Sequence, residues 1–147
     1  MRRGIRAVVL GVGLAVFSLA GATGAAAQEP AKLVFTLDGD ASLVTLLIKP
    51  DKTADFEGVI AKYKDALSKS ENPVRKQQLA GMKFFQSPNA VQGNAMYIMF
   101  VEPVVKGQEY DITRIVTEVF PSEAMDVYNK YKDSFAGRQV ITINKVP

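Results

Sequence analysis

Two short runs restrict the fold more than anything else in this chain. In Ala95–Val101 every residue is apolar or aromatic, so a strand there turns Met96, Ile98 and Phe100 to one face and Tyr97, Met99 and Val101 to the other. Leu43–Ile48 behaves alike, giving Val44, Leu46 and Ile48 to one side and Leu43, Thr45 and Leu47 to the opposite one. A strand with one wet face alternates to polar side chains, and neither run does. Both faces of the sheet are therefore expected to be buried, which calls for two coverings.

The first covering is legible along the chain. The strand Leu43–Lys49 ends at Pro50, and Asp51–Lys69 then carries Phe56, Val59, Ile60, Tyr63 and Leu67 at helical spacing, with Thr53 as the expected N-cap. Pro73 opens a short second helix ending at Gly81, whose polar run around Arg75-Lys76 reads as a solvated surface face. Met82–Gln86 and Ala95–Glu102 form a hairpin across the turn-rich loop Ser87–Asn94. Tyr110–Phe120 is again a helical stripe, started by the acids Glu109 and Asp111 and interrupted at Pro121-Ser122. Tyr128, Tyr131 and Phe135 continue at helical spacing as core residues, and Gln139–Val146 closes the chain as a strand. A short strand over Leu33–Leu37 precedes the turn Asp38-Gly39-Asp40, which reads as an ordinary turn because the other ligands of a calcium loop are missing.

The order is β-α-β-β-α-β, which specifies an α+β, ferredoxin-like antiparallel sheet with its helices on one face. The second face then needs a second copy of the chain, the segment Leu33–Leu37 folded back, or a ligand or partner protein. A sheet-to-sheet homodimer is the expectation. On its element order and its two-sided apolar strands, Leu43–Val146 resembles the dimeric α+β barrel superfamily, which includes antibiotic-biosynthesis-monooxygenase-like and stress-responsive barrel domains. The resemblance implies a small apolar or aromatic ligand between sheet and helices, and in some members its oxidation without a cofactor. Other members hold haem through a histidine, and this chain has none.

Residues 1–27 carry a different message. Arg2, Arg3 and Arg6 lead into the apolar run Ala7–Ala22, which closes on Gly24-Ala25-Ala26-Ala27. A basic end, a short apolar core and an Ala-x-Ala exit describe a cleaved secretory signal peptide. The expected organisation is thus a leader over 1–27, a lead-in segment over 28–41 and one domain over 42–147. The expected location is the periplasm or the exterior of a bacterial cell, with no stable membrane insertion after cleavage. The leader holds three of the 18 Lys and Arg and none of the 15 Asp and Glu, leaving 15 against 15. A balanced chain has no electrostatic reason to bind phosphate backbones, so nucleic acid is not an expected partner.

Without cysteine or histidine the chain lacks disulfides, thiolate chemistry and the commonest general base and metal ligand. No phosphate-binding glycine loop, nucleophile elbow or zinc spacing is present, so no catalytic residue, metal site or cofactor is expected. If Val44, Leu46, Ile48, Ile141 and Ile143 meet the helices, then Thr45, Thr142 and Asn144 lie on the second face, with Tyr97 joining them and Lys83 near the edge. These five polar groups among aliphatics are the candidate ligand-binding residues, weighed against a plain role in a dimer interface. The leading reading is an exported, non-catalytic domain that self-associates and binds a small apolar ligand or a protein partner. The alternatives are a cofactor-free, oxygenase-like enzyme working near Tyr97 and Asn144, and a structural envelope protein.

Overall fold

The structure, a computed structural model, describes residues Lys32–Pro147. The expected leader over 1–27 and the start of the expected lead-in segment lie outside the described residues. The described chain is α+β: four antiparallel strands and four α-helices.

The first strand, β1 (Ala41–Ile48), stops before Pro50, and a single 3-10 turn (Pro50–Lys52) leads into α1 (Thr53–Lys69). The apolar stripe of α1 is buried as its spacing requires, with Phe56, Val59, Ile60, Tyr63, Ala66 and Leu67 facing inward. Its start differs from expectation: Lys52 occupies the cap position without a side-chain bond, and Thr53 is already helical. Helix α2 (Pro73–Ala80) begins as Pro at the first turn predicts, capped by the Asn72 side chain, which accepts from the Val74 N–H at 3.0 Å. β2 (Met82–Gln86) and β3 (Ala95–Val101) form the expected hairpin. Asp111 caps α3 (Ile112–Val119) by accepting from the Arg114 N–H at 2.9 Å. The helix breaks at Phe120-Pro121, and α4 (Ala124–Ser134) runs directly into β4 (Phe135–Ile143).

Strand order is β2-β3-β1-β4, and every neighbouring pair is antiparallel. One face carries the core: Val44, Leu46 and Ile48 of β1 and Tyr97, Met99 and Val101 of β3 are buried in one cluster with the α1 stripe, Ile112, Ile115, Val116 and Val127. Phe56 meets Tyr97 edge-on, with ring centroids 5.0 Å apart.

Four expectations are corrected. Leu33–Leu37 is not a strand. It is an irregular strap whose Leu37 is buried in the core cluster, on the helix side of the sheet, so it does not cover the second face. Helix α2 is solvated on one side only: Lys76 and Gln77 are exposed, but Arg75 and Gln78 are buried, because Arg75 pairs with Glu118 at 2.7 Å and both buried side chains donate to the Glu109 carbonyl. Tyr128 is exposed, whereas Tyr131 and Phe135 pack against the core. Strand β4 begins four residues earlier than Gln139 and ends at Ile143, because Phe135 pairs opposite Ile48 after an irregularity at Leu47/Ile48.

Candidate functional site on the open sheet face

Register decides what each face carries, because residues opposite one another across neighbouring strands point to the same side. On the side away from the helices three rows cross the sheet. The upper row is Lys83, Phe100, Leu43 and Ile141; the middle row is Phe85, Ile98, Thr45 and Gln139; the lower row is Met96, Leu47 and Gly137. Apolar groups dominate, and nothing in the described chain covers them fully. Phe85 is 52% exposed, Ile141 44% and Ile143, just beyond the upper row, 37%. The inner apolar members, Leu43, Leu47, Met96, Ile98 and Phe100, are half-buried by their neighbours within the sheet.

Of the five candidate ligand-binding residues, the structure places two on this face. Thr45 sits at its centre, with its hydroxyl 3.5 Å from the Gln139 carbonyl, and Lys83 stands exposed at a corner. The other three are elsewhere. Tyr97 faces the helices, buried, and its hydroxyl donates to Glu57 Oε1 at 2.8 Å. Burial first, and the Glu57 carboxylate second, push its phenol up to about 12. Thr142 pairs opposite Ser42 on the helix side, under the turn at Gly39. That turn has φ +83°, and a side chain on Gly39 would come within 2.6 Å of Thr142 Cγ2, so only glycine serves. Asn144 lies past the end of β4, exposed. Ile141 and Ile143, expected to meet the helices, instead share the side of Leu43. Gln139 and Phe85 were not among the expected site residues, and a strand start at Phe135 would have set Gln139 opposite Thr45.

A second cluster also went unread. The Glu109 carboxylate is buried and accepts four backbone N–H groups: Val34 at 2.7 Å, Phe35 and Asp111 at 2.9 Å, and Tyr110 at 3.1 Å. Burial by itself raises a carboxyl pKa, but these four donors outweigh it and hold Glu109 below its ordinary value. Glu118 is held low by the hydrogen bonds from Arg75, against some burial, with Ser70 adding a second donor. The cluster clamps the strap, α2 and the start of α3 together. The strap in turn places Phe35 under the Arg138 guanidinium, 4.1 Å from the ring centroid. The space enclosed there, between sheet and helices, is only about 10 Å³ and is lined by Phe35, Val44, Leu46, Met99 and Tyr131 among others. It has room for about one water at most.

Among the described residues no group of three or more acidic side chains is placed to hold a metal ion. The chemistry available on the open face is apolar contact around the Thr45 hydroxyl and the Gln139 carboxamide, with the Lys83 ammonium at one corner. No protein-family model matches this chain, and no curated protein matches it.

Proposed function

We propose that the protein is an exported, non-catalytic binding domain that works by self-association through the open face of its sheet. The strand order and pairing support a ferredoxin-like arrangement, and the carrying observation is the apolar face left uncovered once every described element has been placed. The strap, one of the three coverings considered from sequence, is engaged on the other side, which leaves a second copy or another partner.

The size of the face suits a reversible pairing with a second copy. Four strands about 4.8 Å apart and seven residues long at about 3.3 Å each give a flat area of roughly 440 Å². That lies within the ~300–600 Å² typical of the largest apolar patch on a monomer, a size that is often functional. Two copies supply about 900 Å² before side-chain relief is counted, below the ~1,200 Å² lower bound for stable pairs and in the range of weak, reversible ones. A small apolar ligand or a protein partner would compete for this same surface. The enzyme reading would have to use the open cleft of about 260 Å³ beside Tyr131, Phe135 and Arg138, because the space deeper between sheet and helices is only about 10 Å³.

The test is sedimentation velocity on the exported protein and on Ile98→Asp, with circular dichroism to verify the fold. A wild-type dimer and a folded Ile98→Asp monomer are expected. A wild-type monomer at high micromolar concentration sinks the proposal, and a stoichiometric co-purifying protein on this face replaces it with the envelope-partner reading.

A further inference from the structure

Two copies can meet face to face in two simple ways, and the three rows distinguish them. This step rests on the self-association proposed above. A two-fold axis running along the strands lays β4 of one copy over β2 of the other and keeps upper row on upper row. An axis running across the strands lays each strand over its own copy and exchanges upper and lower rows. We infer that the axis runs across the strands, along the row Phe85–Ile98–Thr45–Gln139, so that Gln139 meets Gln139 and Ile141 of each protomer seats over Gly137 of the other.

Two independent observations carry this. The first is polarity. The middle row is apolar at its β2 end and polar at its β4 end. With the axis along the strands, Gln139 is pressed on Phe85 and Thr45 on Ile98, so a buried amide loses water with no partner in exchange, and the Thr45 hydroxyl keeps only its own protomer's Gln139 carbonyl at 3.5 Å. With the axis across them, like meets like. A carboxamide both donates and accepts, so two Gln139 side chains satisfy one another, with the Thr45 hydroxyls alongside. Phe85 then stacks on Phe85 at the other end of the row.

The second observation is relief. Gly137 leaves a notch at the β4 end of the lower row, and Ile141, 44% exposed, is a knob at the β4 end of the upper row. Exchanging the rows sets knob over notch twice, once on each side of the axis. The alternative sets Ile141 against Lys83, an aliphatic group on a charge. Nor is the notch a requirement of the protomer: a Cβ at Gly137 would meet Leu47 Cδ1 at 3.7 Å, ordinary contact, and its φ is unremarkable. A Cβ there fits the protomer, and a side chain built on it is expected to obstruct the pair.

The experiment exchanges knob and notch. Gly137→Val, Ile141→Ala and the double variant are compared with wild type by sedimentation equilibrium over a dilution series. Each single change strikes both symmetric contacts and is expected to weaken the dimer about tenfold or more, with the double variant recovering to within about threefold of wild type. Losses that merely add in the double variant overturn the axis assignment and leave the dimer standing. A wild-type monomer removes the dimer and the assignment together. A second measurement does not depend on these variants folding. The chain has no cysteine, so Asn144→Cys, exposed beyond the end of β4 and outside the three rows, takes a single nitroxide. The axis across the strands puts the two labelled backbones about 35 Å apart, whereas the axis along them gives about 17 Å, and dipolar broadening at that shorter distance refutes the inference.

Discussion

Replacing Glu109 with glutamine asks whether one carboxylate holds the N-terminal strap in place. Its Oε2 accepts from the Val34 N–H, while Oε1 accepts from Phe35, Tyr110 and Asp111. In the amide, one of the two oxygens becomes an NH₂ that cannot accept, so at least one backbone donor is orphaned. The remaining bonds lose their charge. A charge-assisted hydrogen bond contributes about 1.5–3 kcal/mol and a neutral one about 0.5–1.5 kcal/mol. One bond lost at about 1.5–3 kcal/mol and three weakened by about 1–1.5 kcal/mol each come to about 4.5–7.5 kcal/mol, a large part of the ~5–15 kcal/mol that holds a domain of this size folded. At roughly 4 °C per kcal/mol the midpoint falls by about 18–30 °C. Thermal unfolding at pH 7 reads the loss, and amide hydrogen exchange at Val34 and Phe35 locates it. A loss under about 1 kcal/mol with both amides still protected would refute the reasoning.

Other consequences follow from the same contacts. Glu109 and Glu118 both titrate below their ordinary 4.5 in the folded chain. The stability they contribute is therefore complete above the unfolded carboxyl pKa and lost as pH falls through their folded values; urea midpoints that stay flat from pH 7 to pH 3 would contradict this. Arg75→Met leaves Glu118 without its main partner and the Glu109 carbonyl short of one donor, so it is expected to cost about 3–5 kcal/mol by urea denaturation, whereas Lys130→Met, which removes an exposed pair with Asp126, is expected to leave the urea midpoint unchanged. Tyr97→Phe removes the bond to Glu57 and should cost about 1 kcal/mol; in ultraviolet titration the wild-type phenolate signal near pH 12 should lose one tyrosine in the variant.

Much of the frame could be read from residue patterns alone. The α1 stripe and the hairpin follow from period and punctuation, and burial of Val44, Leu46 and Ile48 against the helices follows from alternation. The side of β4 could not be read this way. Val140 and Thr142 alternate with Ile141 and Ile143, so both sides look alike, and only pairing with β1 selects one. Its start was hidden because Tyr128, Tyr131 and Phe135 extend a helical period into residues that are already strand. Arg75 looked solvated because its own helix is polar. What buries it is Glu118, 43 positions later, and the Glu109 carbonyl, 34 positions later. The Glu109 cradle was equally invisible, since its strap donors lie 74 and 75 positions upstream and are backbone groups that any sequence supplies.

The central position of β1 also sets how the chain must assemble in time. The first of the described strands to be made is the one that ends up between two others, and the Thr45 hydroxyl reaches a carbonyl 94 positions further along. Local helices can form early, but both flanks of β1 stay unzipped until β3 and then β4 arrive. Closing loops of that length costs entropy before any contact rewards it, so folding is expected on the millisecond-to-second scale of non-local topologies. Until the last strand docks, β1 presents a bare, apolar backbone edge to its surroundings. A chain interrupted before Phe135 keeps that edge permanently, and aggregation of such fragments, rather than loss of the finished protein, is where damage to this fold would first be seen.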